Sequence, residues 1–486
     1  MGVIQRREER FAHLPVGVRL RDGLSYFASA TPARFAVLIF VGLIVVFTVL
    51  LLLPGMTADG ETTDFADALF TATSAICVTG LSTVNMATHW SELGHVIIVI
   101  ATQLGAVGVL TLASLMGLVV SRRLGLRQRL LAAGDVNPMA LNKGGSSDSP
   151  ASRLGEVGGL LATVALSALV IEVGVALLLL PRILLEGVPI LDALIEAFYF
   201  SAMAFTNTGF VFSESGLTPY LDDVWFLGLL MIGVVLGSIG FPVIYALSRN
   251  LKLRKIKSNR QARWSLHVKL TVVTTVILLV LGAAAFSILE ADNGSTIGGR
   301  GPFHLGFQAL FMSVMTRSGG FSTFDIGDLN NASLLVTDML MFIGGGSAST
   351  AGGIKVTTIA ILFIAAFAEA RGNASMEAFE RKIPGDVLRL AVSVVLWGAT
   401  TVALSSIILL QLTGDSLDRV LFDVISAFGT AGLSTGFTAS LEDPGKYVLT
   451  ATMFMGRIGT VTLAAALAAS QRRQLFTRAE ERPIVG

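Results

Sequence analysis

DALFTATSAICVTGLST, residues 67–83, is the stretch on which the organisation of this chain turns. It is a short apolar run that ends at Thr79-Gly80 and then turns back. Three more copies follow: EAFYFSAMAFTNTGFVF at 196–212, GFQALFMSVMTRSGGFST at 306–323 and RVLFDVISAFGTAGLST at 419–435. Each holds about one short helix of Ala, Phe, Ser and Met, then a glycine followed by Leu or Phe. The pairs are Gly80-Leu81, Gly209-Phe210, Gly320-Phe321 and Gly432-Leu433. The glycines lie 129, 111 and 112 residues apart, a spacing that marks a repeated structural module rather than a solenoid.

A run of about 12 apolar residues cannot cross a hydrocarbon core of about 30 Å. It fits a helix that enters partway and returns. Non-helical backbone at that depth is tolerated where it is buried in protein or lines water. Four such loops around one axis can line a pore with backbone carbonyls, which replace the hydration shell of a cation. The C-terminal end of each short helix carries partial negative charge. The residues expected to line such a filter are Val78, Thr79, Gly80, Asn207, Thr208, Gly209, Ser318, Gly319, Gly320, Thr430, Ala431 and Gly432.

Composition agrees with a membrane setting. Of 486 residues 53% are hydrophobic and 14% charged, and the mean hydropathy is +0.73. Such a chain is a polytopic membrane protein, not a soluble one. Its single cysteine, Cys77, excludes an internal disulfide. No nucleophile–base pair and no metal-ligand spacing appears, so no enzyme is expected. His89, His95, His267 and His304 fall near span ends.

The expected fold is all-α, with four helix–pore-loop–helix units, eight spans and four re-entrant helices around a central pore. Residues 1–33 form a cytoplasmic arm, 34–121 the first unit and 122–153 a linker. Residues 154–248 form the second unit, with a span over about 225–247, and 249–266 a basic loop. Residues 267–369 form the third unit, 370–386 a loop, 387–470 the fourth unit and 471–486 a tail. Both termini and the loops at 122–153 and 249–263 are rich in Arg and Lys. Those segments are cytoplasmic by the positive-inside rule, which puts the re-entrant loops on the other side.

The run 334–368 in the third unit is far longer than one span. Its centre is Gly344, Gly345, Gly346, Ser347, Ala348, Ser349, Thr350, Ala351, Gly352 and Gly353, then Ile354-Lys355. A glycine costs about 1 kcal/mol relative to alanine inside a helix, so five of them predict a break. The order of a phosphate-binding loop is absent, because Ile354 separates Gly353 from Lys355. Arg457 lies in the last span among Met453, Phe454, Met455 and Ile458. A charge there is a functional candidate by default, and it is expected to face the pore below the filter. Glu172 and Asp338 read as structural partners.

These motifs resemble the Trk/Ktr/HKT superfamily of potassium transporters, over residues 34–486. The carrying segments are Cys77-Val78-Thr79-Gly80-Leu81, Asn207-Thr208-Gly209-Phe210, Thr316-Arg317-Ser318-Gly319-Gly320-Phe321 and Thr430-Ala431-Gly432-Leu433-Ser434. The run 344–355 and Gly456-Arg457-Ile458-Gly459 match as well. The short segment before the first span is closer to the Ktr-type membrane subunit, KtrB. Gly319 stands where the resemblance leads one to expect alanine. The resemblance implies a potassium-uptake subunit of the cell membrane, with the 344–353 loop, Lys355 and Arg457 as an intramembrane gate. It implies potassium as substrate and no cofactor in this chain. The expected partners are a second copy in a homodimer, membrane lipid and a cytosolic RCK/KTN-type ring that binds the regulatory nucleotide, with no nucleic acid. Sodium selectivity or sodium coupling within the family is the alternative. A conventional alternating-access carrier is a further one, disfavoured because only one span reads as broken.

Overall fold

The computed structural model describes residues 32–122, 150–213, 216–255, 264–373 and 375–459. Most of the N-terminal arm, the linker, the centre of the basic loop and the tail read above lie outside these residues.

The described residues hold fourteen α-helices in four successive groups. The first group is α1 (Pro32–Leu51), α2 (Phe65–Ile76) and α3 (Glu92–Arg122). The second is α4 (Pro150–Leu184), α5 (Ile190–Thr206), α6 (Val224–Ile239) and α7 (Phe241–Lys255). The third is α8 (Leu266–Leu289), α9 (Pro302–Met315), α10 (Asn331–Phe342) and α11 (Val356–Ala370). A small antiparallel hairpin, β1 (Met376–Ala378) with β2 (Arg381–Ile383), precedes the last group. That group is α12 (Gly385–Thr413), α13 (Leu417–Gly429) and α14 (Asp443–Phe454), which continues as a π-turn, Met455–Gly459.

Hydropathy explains the division of labour. Four helices are long and apolar enough to cross a membrane: α3 and α4 over their described apolar stretches, α8 and α12. Their outer faces carry exposed Leu, Ile and Val, such as Leu166, Val170, Val280, Leu281 and Leu404. Exposed aliphatic side chains in such number suit lipid, not water. The short helices α2, α5, α9 and α13 are the reverse. They are enclosed by the long ones and nearly every residue in their C-terminal halves is buried.

The packing order closes on itself. Within each group the first long helix lies against the short one: α1 on α2, α4 on α5, α8 on α9 and α12 on α13. The helix after the short one then packs on the next group's short helix. So α3 meets α5, α6 meets α9, α10 meets α13, and α14 returns to α2.

One expectation fails here. The stretch 225–247, read as a continuous span, breaks at Gly240, where α6 and α7 bend by 104°. Gly240 has φ +95° and Pro242 follows it in the first turn of α7. A glycine at positive φ lets the backbone leave the helix sharply, and a proline starts the next one without losing a needed donor. The predicted break in the third group lies between Phe342 and Val356.

Candidate functional site

The C-terminal ends of α2, α5, α9 and α13 run into four turns that meet at the centre of the ring. The glycines show how close they are. A Cβ built on Gly80 would lie 1.7 Å from the Thr208 carbonyl oxygen, and one on Gly209 2.5 Å from Gly320 Cα. A Cβ on Gly432 would lie 2.5 Å from the Thr79 carbonyl oxygen and 3.2 Å from Gly320 Cα. No side chain fits at these positions without moving backbone of another loop.

All four glycines are left-handed: Gly80 φ +90°, Gly209 +76°, Gly320 +74° and Gly432 +84°. Two residues before each stands another left-handed residue, Val78, Asn207, Ser318 or Thr430. Asparagine tolerates this conformation, but for β-branched Val78 and Thr430 it is a genuine outlier. Residues held so cost on the order of 1–3 kcal/mol each and persist where the surroundings enforce them. Local bonds do so. The Thr79, Thr208 and Ala431 N–H groups donate back to the Ser74, Met203 and Ser426 carbonyls at 2.7, 3.0 and 2.9 Å. The third loop is different: there the Gly319 N–H donates to Met315 at 2.7 Å. Its Ser318 hydroxyl crosses to the Thr430 carbonyl at 2.7 Å.

Gly319 has its own cause. A Cβ there would lie 2.7 Å from Met315 Sδ and 2.9 Å from Met315 Cα. Alanine, the residue the resemblance led one to expect, has no room. Arg317, in the same loop, is buried and donates to the Thr275 carbonyl at 3.3 Å, reaching out to α8. No sequence signal assigned it that direction.

Beyond each glycine, the chain is tied back to its short helix. Thr83 Oγ1 donates to Asp67 Oδ1 at 2.6 Å, Thr323 Oγ1 to Gln308 Oε1 at 3.1 Å, and Thr435 Oγ1 to Asp423 Oδ1 at 3.2 Å. Each threonine is three residues past its glycine. Asp423 is fully buried and also accepts from Ser434 Oγ, the Thr435 and Thr438 N–H groups and Thr438 Oγ1. A buried carboxylate costs on the order of several kcal/mol unless its lone pairs are filled, and five donors fill them. Asp67 also pairs with Lys446 of α14 at 2.8 Å, across the closure of the ring. The second loop has Phe212 at this position. Its ring lies 4.0 Å from that of Tyr199 and 4.6 Å from that of His95.

The segment 343–355 lies directly against this centre. Thr350 Oγ1 donates to the Phe205 carbonyl and to Asn207 Oδ1, both at 3.2 Å. A Cβ on Gly352 would lie 2.2 Å from Thr430 Oγ1, and one on Gly344 2.0 Å from the Gly352 carbonyl oxygen. The segment is also knitted to the corner at Gly240. The Gly346 N–H donates to Ser238 at 2.7 Å, Thr350 N–H to Gly237 at 3.2 Å, and Phe241 N–H to Ala348 at 3.1 Å. Gly345 and Gly353 close the two ends: the Gly345 carbonyl accepts from Val356 N–H at 3.1 Å, and Gly353 sits against Gly429. Ser349 Oγ donates within the segment to Gly346 at 2.6 Å, and Ser347 pairs with Thr357 at 3.1 Å.

Two cations hold the segment's carbonyls. Lys355 Nζ donates to Ala351 at 2.6 Å and Gly352 at 3.2 Å. Arg457 is buried and its Nη1 donates to the Thr350 carbonyl. Arg457 therefore engages the segment through one nitrogen, while its Nε and Nη2 have no hydrogen-bond partner among the described residues. Gly456 leaves it room to get there, since a Cβ at 456 would lie 1.9 Å from the Phe428 carbonyl oxygen. Of the two deep acids, Glu172 accepts from Gln103 at 2.9 Å, joining α4 to α3. Asp338 Oδ1 has no hydrogen-bond partner among the described residues.

Four buried helices whose C-terminal ends run into meeting glycine turns, enclosed by long apolar helices, define a class: helical membrane proteins with a closed ring of repeated groups. The chain belongs to the TrkH family of cation transport proteins, whose family model matches residues 27–474. It is 33% identical over 470 residues to Ktr system potassium uptake protein D of Bacillus subtilis (strain 168), covering 96% of this chain and 100% of that one. It is 29% identical over 465 residues to the potassium/sodium uptake protein NtpJ of Enterococcus hirae, covering 94% and 95%. Among solved structures, the potassium transporter TrkH from Vibrio parahaemolyticus shares the fold, with a TM-score of 0.66 at 19% identity. That match covers 89% of this chain and 83% of the other.

Proposed function

We propose that this chain is the ion-translocating subunit of a Ktr/Trk-type potassium uptake system. The four glycine turns form the selectivity filter, the segment 343–355 with Lys355 and Arg457 is the gate, and the four groups supply eight spans around one pore. Both termini face the cytoplasm. A second copy completes a homodimer, and a cytosolic RCK/KTN-type ring carries the regulatory nucleotide.

The observation that carries this is the convergence of four left-handed glycine turns at the C-terminal ends of four buried helices. Those ends bear partial negative charge, and turns of this kind present carbonyls in place of water. The break at Gly240 removes the number of broken spans as a reason against an alternating-access carrier. The four converging turns remain a reason, because a carrier of that design builds its site from discontinuous helices and not from a ring of re-entrant ones.

The test is rescue of a bacterium lacking its potassium uptake systems, grown at low external potassium with and without sodium. Growth restored by this chain with its ring, with potassium preferred over sodium in uptake, is the expected result. Uptake that follows sodium instead would support the potassium/sodium behaviour in the name of the Enterococcus relative. No restored uptake of either ion would overturn the proposal.

A further inference from the structure

We infer that Asp67, Gln308 and Asp423 are positioning residues that set ion preference by anchoring the threonine three residues past three of the four filter glycines, Gly80, Gly320 and Gly432. This rests on reading the four turns as the filter.

A carbonyl ring discriminates between cations only if the carbonyls keep their spacing when a smaller ion would draw them inward. Each turn here is anchored at its entry by the end of its short helix. Its exit is anchored separately. In the first, third and fourth loops the exit threonine reaches back to an acceptor on the same short helix that leads into the turn: Thr83 to Asp67, Thr323 to Gln308, Thr435 to Asp423. Entry and exit of each carbonyl run are thus tied to one rigid element. The acceptors are deep in the bundle, with Gln308 and Asp423 fully buried and Asp67 nearly so.

The anchors are unequal. Hydrogen bonds to a carboxylate are roughly twice as strong as neutral ones, so the first and fourth loops are held harder than the third. Thr83 depends on a single short bond to Asp67, and Lys446 in turn fixes Asp67 from α14. In the fourth loop the burden is spread over five donors to Asp423, so the carboxylate matters there more than any one hydroxyl. The second loop has Phe212 at this position, and it packs on Tyr199 and His95.

The experiment compares potassium and sodium uptake by the full chain, reconstituted in vesicles, at equal amounts of folded protein. Thr83→Val removes the hydroxyl and keeps the volume. Loss of one charge-assisted bond of ordinary strength predicts a fall in the potassium-to-sodium ratio of about tenfold. Thr323→Val, which loses a neutral bond, predicts about threefold. Asp423→Asn presents an amide nitrogen to donors and predicts the largest fall; if it does not fold, Thr83→Val and Thr323→Val still decide. Gly320→Ala, at the roomiest of the four turns, reports on the filter itself. Should Gly320→Ala alter the ratio while the threonine variants change only the yield of protein, the anchoring role is wrong and the filter stands. Should Gly320→Ala and the threonine variants all leave the ratio unchanged, the filter assignment falls too.

Discussion

At the scale of single residues, the glycines divide into two kinds. Gly42 in α1 has nothing within 4 Å of a built Cβ, and Gly42→Ala is expected to be neutral or to raise stability by up to about 1 kcal/mol. A thermal melt in detergent checks this. Gly80→Ser is the opposite case. The new side chain meets the Thr208 carbonyl and must adopt φ near +90°. It displaces the carbonyls of two loops, and the potassium-to-sodium uptake ratio is expected to fall. An unchanged ratio in folded Gly80→Ser protein would remove the first loop from the filter. Arg457→Ala deletes a donor to Thr350 and a positive charge in a poorly screened place. Potassium flux is expected to rise in vesicles, with ion preference unaltered, because no filter carbonyl is touched. The repeated glycines were legible in the sequence because only that residue suits a left-handed turn pressed against other backbone. The left-handed conformations of Val78, Ser318 and Thr430 were not, since nothing in those residue types favours it; the enclosing structure imposes it.

At the scale of elements, the segment 343–355 is the part whose removal is most informative. It is held by hydrogen bonds from Arg457 and Lys355 and by Thr350 against Phe205 and Asn207. Shortening it within 346–352 is expected to raise potassium flux and make it less dependent on the cytosolic ring. Flux through the shortened protein in vesicles without partner is the measurement; a value as low as the parent's would make the segment packing material. Five glycines in ten residues made this break readable in advance. The break at Gly240 went unread because one glycine within an apolar run is weak evidence. The signal was the pair, Gly240 followed by Pro242, which is the usual order at a helix end and the next helix start. Asp423 was also missed as a support. Its spacing from Thr435 has no local period, and only the fold of the loop over α13 brings the two together.

At the scale of the molecule, the ring of packing contacts is closed by α14 on α2 and fastened by Lys446 between Asp67 and Asp443. Lys446→Met is expected to lower thermal stability by on the order of 1 kcal/mol, since Lys446 and Asp67 are largely shielded from water while Asp443 is exposed and adds little. Melting temperatures of parent and variant decide it. Homodimerisation and retention of a co-expressed RCK ring are expected in mild detergent, and mass measurement of the purified complex tests both. The corner at Gly240 has a mechanical consequence. Its flanking backbone is bonded to Gly346, Ala348 and Thr350 of the central segment, so a shift of one without the other breaks these bonds. From that corner α7 extends 15 residues at 104° to α6, an arm of roughly 22 Å at the rise of an α-helix. Turning such an arm by about 10° carries its far end through about 4 Å, while the backbone at the pivot moves by a small fraction of that. Through these bonds the central segment is tied to a helix whose far end lies roughly 22 Å away.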